Sequence, residues 1–134
     1  MEGRKISLLS LRPNIEGIVI SGNMSEDEKF QNITIRPILK FQNDLFIEVF
    51  RNYIKKRKNA FYQLTLSKQI EYIKNSIQKD IKFRNFLKGI VIGQFTVEEY
   101  LIYIQNSSAL NKRIMNMVSE RLISQIQLFQ NFNF

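Results

Sequence analysis

The sequence contains no cysteine, no histidine and no tryptophan, and only two prolines and five glycines. Without cysteine there is no disulfide framework, thiolate nucleophile or thiolate metal site. Without histidine the chain lacks the commonest general base, metal ligand and near-neutral pH switch. Any catalysis would have to rest on carboxylates, lysine, tyrosine or hydroxyls alone, which weighs against an enzyme and leaves the question open. No His/Cys/Asp/Glu spacing suits a metal ion, and Glu98 and Glu99, being adjacent, point to different sides of a helix. Gly89 and Gly93 make neither a P-loop, which ends in Gly-Lys-Ser/Thr, nor the G-x-G-x-x-G of a dinucleotide site. No metal and no cofactor are therefore expected. No stretch reaches the roughly 18–20 consecutive apolar residues of a transmembrane span. The apolar run that begins at Ile6 stops at Arg12-Pro13 with no small-residue cleavage site after it, so the expected location is cytoplasmic.

What is present suits one globular domain. The 134 residues are 44% hydrophobic and 24% charged, enough to bury a substantial core. Lys and Arg number 20 against 12 Asp and Glu, a formal charge of +8. Such a field attracts nucleic acid, anionic lipid or an acidic protein face.

Residues 1–24 lack helical periodicity and read as an extended or flexible N-terminal arm, with the strand-like run Glu16 to Asn23 laid on the body or on a neighbouring subunit. Residues 25–134 read as a helical domain. Ser25 and Glu28 form a capping box for a short helix reaching about Thr34, and Pro37 either starts a new helix or kinks a longer one. From Pro37 to Lys58 a stripe of Ile38, Phe41, Leu45, Val49 and Tyr53, widened by Phe46, Phe50 and Ile54, predicts a helix ending in a basic cluster at residues 51–58. Ser67 is the expected cap of the next helix, and Asp80 of the one after, with Asp80 and Arg84 placed to pair at i, i+4.

The stretch Asp80–Ile104 holds the most apolar run, Gly89-Ile-Val-Ile-Gly93. Ile81, Phe86, Leu87, Ile90 and Val91 predict a wide buried face, and the glycines one turn apart suggest close approach of another helix. A strand over 89–95 is the competing reading. Thr96 and Glu99 form a second capping box, with Val97, Tyr100, Leu101 and Ile104 expected inward. Asn106-Ser-Ser108 is expected to cap a last helix from Ala109 to about Gln130 that buries Leu110, Ile114, Met117, Val118, Leu122, Ile126 and Phe129, and the tail beyond it to fray or to dock one Phe. The fold class is thus all-α, a single-domain bundle of five or six helices with an extended N-terminal arm.

Two constellations point towards function. Residues 96–118 have the outline of a helix-turn-helix, in which Ser107, Ser108, Asn111, Lys112 and Arg113 would face nucleic acid, although Leu101 and Gln105 stand where such units want a small residue and glycine. A polar set, Arg36, Gln42, Asn43, Asp80, Arg84, Asn85, Asn111, Arg113, Asn116 and Arg121, interrupts or borders apolar faces. It predicts an interhelical network or a small anionic pocket.

The strings FQNITIRPILKFQNDLF (30–46), QKDIKFRNFLKGIVIGQFT (78–96) and NSSALNKRIMNMVSERL (106–122) resemble a group of short bacterial helical proteins that carry the label "glyoxalase". The resemblance covers most of the chain beyond about Ser25. It implies the grouping and not the activity, because glyoxalases use βαβββ modules with His and Glu ligands or His-rich metal motifs. The functional expectation is a helical interaction or assembly module, a homo-oligomer. The alternatives are a nucleic-acid-binding protein and a small-anion binder or cofactor-free enzyme centred on Arg84 and Arg113. Candidate binding residues are Arg36, Asn43, Arg84, Asn111, Lys112 and Arg113.

Overall fold

Phe50, fully buried, is ringed by Tyr53, Phe61, Tyr72, Phe83 and Phe129, with ring centroids 5.2–6.3 Å away. Those partners come from five different parts of the chain, so this aromatic knot defines how the helices meet. The computed structural model describes residues 2–15, 17 and 21–130. Among them the secondary structure is helical and there is no strand: α1 (Glu2–Leu11), α2 (Glu26–Phe30), α3 (Arg36–Phe41), α4 (Asn43–Lys56), α5 (Leu66–Lys79), α6 (Ile81–Ile92), α7 (Val97–Tyr103) and α8 (Ser107–Ser124). The all-α single-domain bundle expected from the sequence is the one found. α8 packs on both α5 and α6, and its inner face buries Leu110, Ile114, Met115, Val118 and Leu122.

Local chemistry sets most of the boundaries. Ser25 caps α2, Asp80 caps α6, and Thr96 with Glu99 completes a reciprocal capping box on α7, each cap accepting the backbone N–H three residues on. Residues 26–41 run as one helix interrupted by a π turn, Gln31–Ile35, in which the Arg36 N–H reaches back to the Gln31 carbonyl. The widened turn lies just before Pro37, whose ring would collide with the carbonyl four residues earlier in a regular helix. A further break at Gln42 (φ −89°, ψ 5°) separates α3 from α4. Lys58 and Asn59 both take left-handed φ values of 59°, turning the chain sharply into the 3-10 turn Ala60–Gln63.

Several expectations are corrected. Glu2–Leu11 is helical instead of extended; it buries no side chain and so leaves no apolar periodicity to read. The strand-like run at 16–23 lies largely, and the tail at 131–134 wholly, outside the described residues. The α5 cap is Thr65, not Ser67, because Thr65 Oγ accepts from the Lys68 N–H. Asn106 gives α8 no side-chain cap and instead donates to Asp27. α8 stops at Ser124, after which a 3-10 turn, Ile126–Phe129, folds Phe129 into the core. The inner face of α4 is Phe46, Ile47, Phe50, Tyr53 and Ile54, leaving Leu45 exposed as Phe41 of α3 is, since the break at Gln42 resets the helical phase. In α6 only Phe83, Leu87 and Val91 are buried, while Ile81 and Phe86 face solvent. No helix approaches Gly89: a Cβ there would meet nothing within 4 Å.

Candidate functional site

α1 is attached to the bundle through cations. The carbonyls of Gly93, Gln94 and Phe95, which follow the end of α6 and have no helical partner, accept from Arg4 (3.1 Å to Gly93, 2.7 Å to Phe95) and Arg12 (2.8 Å to Gln94). Guanidinium donors suit the negative end of a helix. Arg12 also grips Glu99 through both nitrogens, each at 2.6 Å, and both side chains are largely buried. Glu99 further accepts from Thr34 Oγ (3.0 Å) and from the Thr96 N–H (2.8 Å). Burial alone would raise the Glu99 carboxyl, but Arg12 and these donors hold it below its ordinary range. The residue expected only to close a capping box therefore joins α1, the π turn and α7.

A second cluster bridges α4 to the start of α6. Asp80 accepts from the Phe83 N–H (3.2 Å), from Tyr53 Oη (2.9 Å) and from Arg57 (2.9 Å), while the Arg57 guanidinium lies 3.4 Å above the Tyr53 ring. The Phe83 N–H, Tyr53 and Arg57 lower the Asp80 carboxyl, and burial with the Asp80 bond pushes the Tyr53 phenol up to about 12. Beside this cluster lies an open groove of about 580 Å³ whose walls include Val49, Phe83 and exposed Phe86, with Lys56 and Lys82 among its lining residues. Asp80 and Tyr53 are engaged with one another, leaving the cluster no free base. The groove can hold apolar surface, and Asp80, Tyr53 and Arg57 at its edge serve to tie α4 to α6.

The polar set read from the sequence divides. Asn43 and Gln125 form a reciprocal amide pair, 2.8 and 2.7 Å, joining the start of α4 to the residue that ends α8. Arg121 donates to Asn43 (3.3 Å), Arg113 to Gln31 (2.8 Å), and Arg36 to Asn32 (2.8 Å). Arg36, Asn43, Arg113 and Arg121 are thus gathered where the π turn, α3 and α4 meet α8. Asp80 lies in the other cluster and pairs with Arg57, so the expected Asp80–Arg84 pair is not formed; Arg84 contributes to neither cluster. Asn111 accepts from the buried Tyr103 hydroxyl, and Lys112 is exposed. Of the five residues assigned to a nucleic-acid face, Asn111 and Arg113 are therefore held by protein partners.

The outer face of α7 is the least expected surface. Val97, Tyr100 and Leu101, with Ile104 in the 3-10 turn that follows, are spaced i, i+3, i+4, i+7 and 40–52% exposed; Ile102 beside them is also half-exposed, and only Tyr103 of this helix is buried. The periodicity was legible; its direction was not, because the same stripe would fit a core face. Among the described residues no group of acidic side chains could hold a metal ion, and no helix is long and apolar enough to cross a membrane. No protein-family model, no curated protein and no solved structure matches this chain.

Proposed function

We propose that the protein is an assembly module that pairs with a second copy of itself through the outer face of α7. The observation that carries this reading is the exposed stripe of Val97, Tyr100, Leu101 and Ile104. A regular apolar seam of this kind is what helices bury against one another, and isolated domains rarely leave such a patch uncovered. Its electrostatics support a like partner despite the +8 charge of the chain: the flanking Glu98 and Glu99 are paired with Lys5 and Arg12, so the seam carries no unbalanced charge. A two-fold axis across α7 would set each stripe against its twin. These side chains are already about half buried, so covering each contributes roughly half of the 1.5–3 kcal/mol of full burial before association costs.

Light scattering on the chromatographed protein tests the reading. A dimer is expected at micromolar concentration, and Leu101→Glu with Ile104→Glu should give a monomer whose circular dichroism is unchanged. A wild-type chain that stays monomeric at millimolar concentration would overturn it.

A further inference from the structure

We propose that Arg36 and Arg121 form a binding pocket for a small oxyanion, a phosphate or carboxylate group carried by a small molecule. The two residues stand on α3 and α8, and the fold brings both into the lining of one pocket of about 410 Å³ that Gln31, Leu39, Met117 and Ser124 also line. Placing two guanidiniums together is unfavourable in the empty molecule unless something negative lies between them. Among the described residues neither is in an ion pair, and Glu120, which also lines the pocket, reaches neither within ion-pair distance. Burial and the neighbouring Arg36 both weigh against the Arg121 charge.

Arg121 is also positioned. Asn43, locked to Gln125 by the reciprocal amide pair, accepts from Arg121 Nη1 and fixes one side of the guanidinium. Arg36 is oriented in the same way by Asn32, which accepts from its Nε. Two oriented planar forks match the paired oxygens of a carboxylate or phosphate better than mobile lysines do. Arg113, outside the lining but donating to Gln31 of it, adds a third positive charge nearby. Leu39 and Met117 give the pocket an apolar wall, and its volume exceeds that of a bare anion, so it suits an oxyanion attached to a small organic body.

Calorimetric titration of the full chain with inorganic phosphate, and separately with succinate, tests this at constant ionic strength maintained with chloride. One-to-one binding of at least one probe is expected, and whichever binds more tightly identifies the group as phosphoryl or carboxylate. Arg36→Gln and Arg121→Gln should each weaken binding roughly 10- to 100-fold, the loss of one hydrogen-bonded charge. Lys112→Gln, which removes an exposed charge outside the pocket, should leave it unchanged. If Arg121→Gln fails to fold by circular dichroism, exposed Arg36 carries the comparison. Absence of binding by both probes, or equal weakening by Lys112→Gln and Arg36→Gln, would overturn the assignment, the second by reducing it to diffuse attraction.

Discussion

Arg12 and Glu99 face each other through two parallel 2.6 Å contacts in a largely buried setting, 87 residues apart in sequence. Removing one partner of such a pair leaves an uncompensated buried charge, which typically costs about 3–5 kcal/mol. Glu99→Gln should therefore lower stability by that order, measured by urea unfolding, because it also weakens the α7 capping box and the bond from Thr34. A loss below about 1 kcal/mol would mean that the pair is not the tie between α1 and α7 described above.

Acid should act through the same carboxylate and through Asp80. Both are held below their ordinary values in the folded chain. The unfolded chain takes up protons on them near pH 4, before the folded one does. In that interval the unfolded state binds more protons, so stability present at neutral pH is lost as pH falls through the folded values. Tyr53 gives the opposite dependence: its phenol is raised to about 12, so its contribution is complete below about pH 10 and is lost as pH rises through the folded value. Unfolding curves collected across the acid range should show a shallower decline for Glu99→Gln than for the wild type.

Tyr53→Phe tests the second cluster. It removes one of three donors to Asp80 and keeps the ring that Arg57 covers. A hydrogen bond to a charged group contributes about 1.5–3 kcal/mol, and a loss towards the lower end is expected because Asp80 is partly exposed. Chemical denaturation gives the value, and a variant as stable as the wild type would show that the Phe83 N–H and Arg57 suffice.

Gly89→Ala should stabilise the protein by about 0.5–1 kcal/mol, since alanine restricts the unfolded chain and favours the helix. Nothing lies within 4 Å of the added methyl group, so no packing loss opposes the gain. A lowered melting temperature would instead indicate a close contact at this glycine.

How much was legible depended on where the information lay. The caps at Ser25, Asp80 and Thr96 are carried by side chains within three residues of the group they satisfy and are legible there, although of the two expected capping boxes only Thr96 with Glu99 is reciprocal, Ser25 accepting from the Glu28 N–H alone. At the start of α5 two hydroxyl residues, Thr65 and Ser67, compete for the cap, and only the path of the chain, extended at Thr65, decides between them. Buried positions on α8 follow from periodicity, as Leu110, Ile114, Val118 and Leu122 show. The outward stripe of α7 could not be assigned a side from its own spacing. α1 was invisible for a related reason: its partners are the carbonyls of residues 93–95 and two glutamates, long-range acceptors that leave no local pattern. Arg36, Asn43 and Arg121 stand out in the sequence as polar interruptions, but the Gln125 amide that locks Asn43, and through it Arg121, carries no such signal, nor does Asn32, which orients Arg36.

The attachment of α1 gives the molecule two stabilities instead of one. The bundle rests on the aromatic knot around Phe50, which salt strengthens if anything, whereas α1 buries no side chain and is held by ionic and hydrogen-bonded contacts. Rising ionic strength screens the exposed Lys5–Glu98 contact first and leaves the interior untouched. The N-terminal helix is thus a unit that can open on its own, with amide exchange faster than that of α8 and tunable by salt.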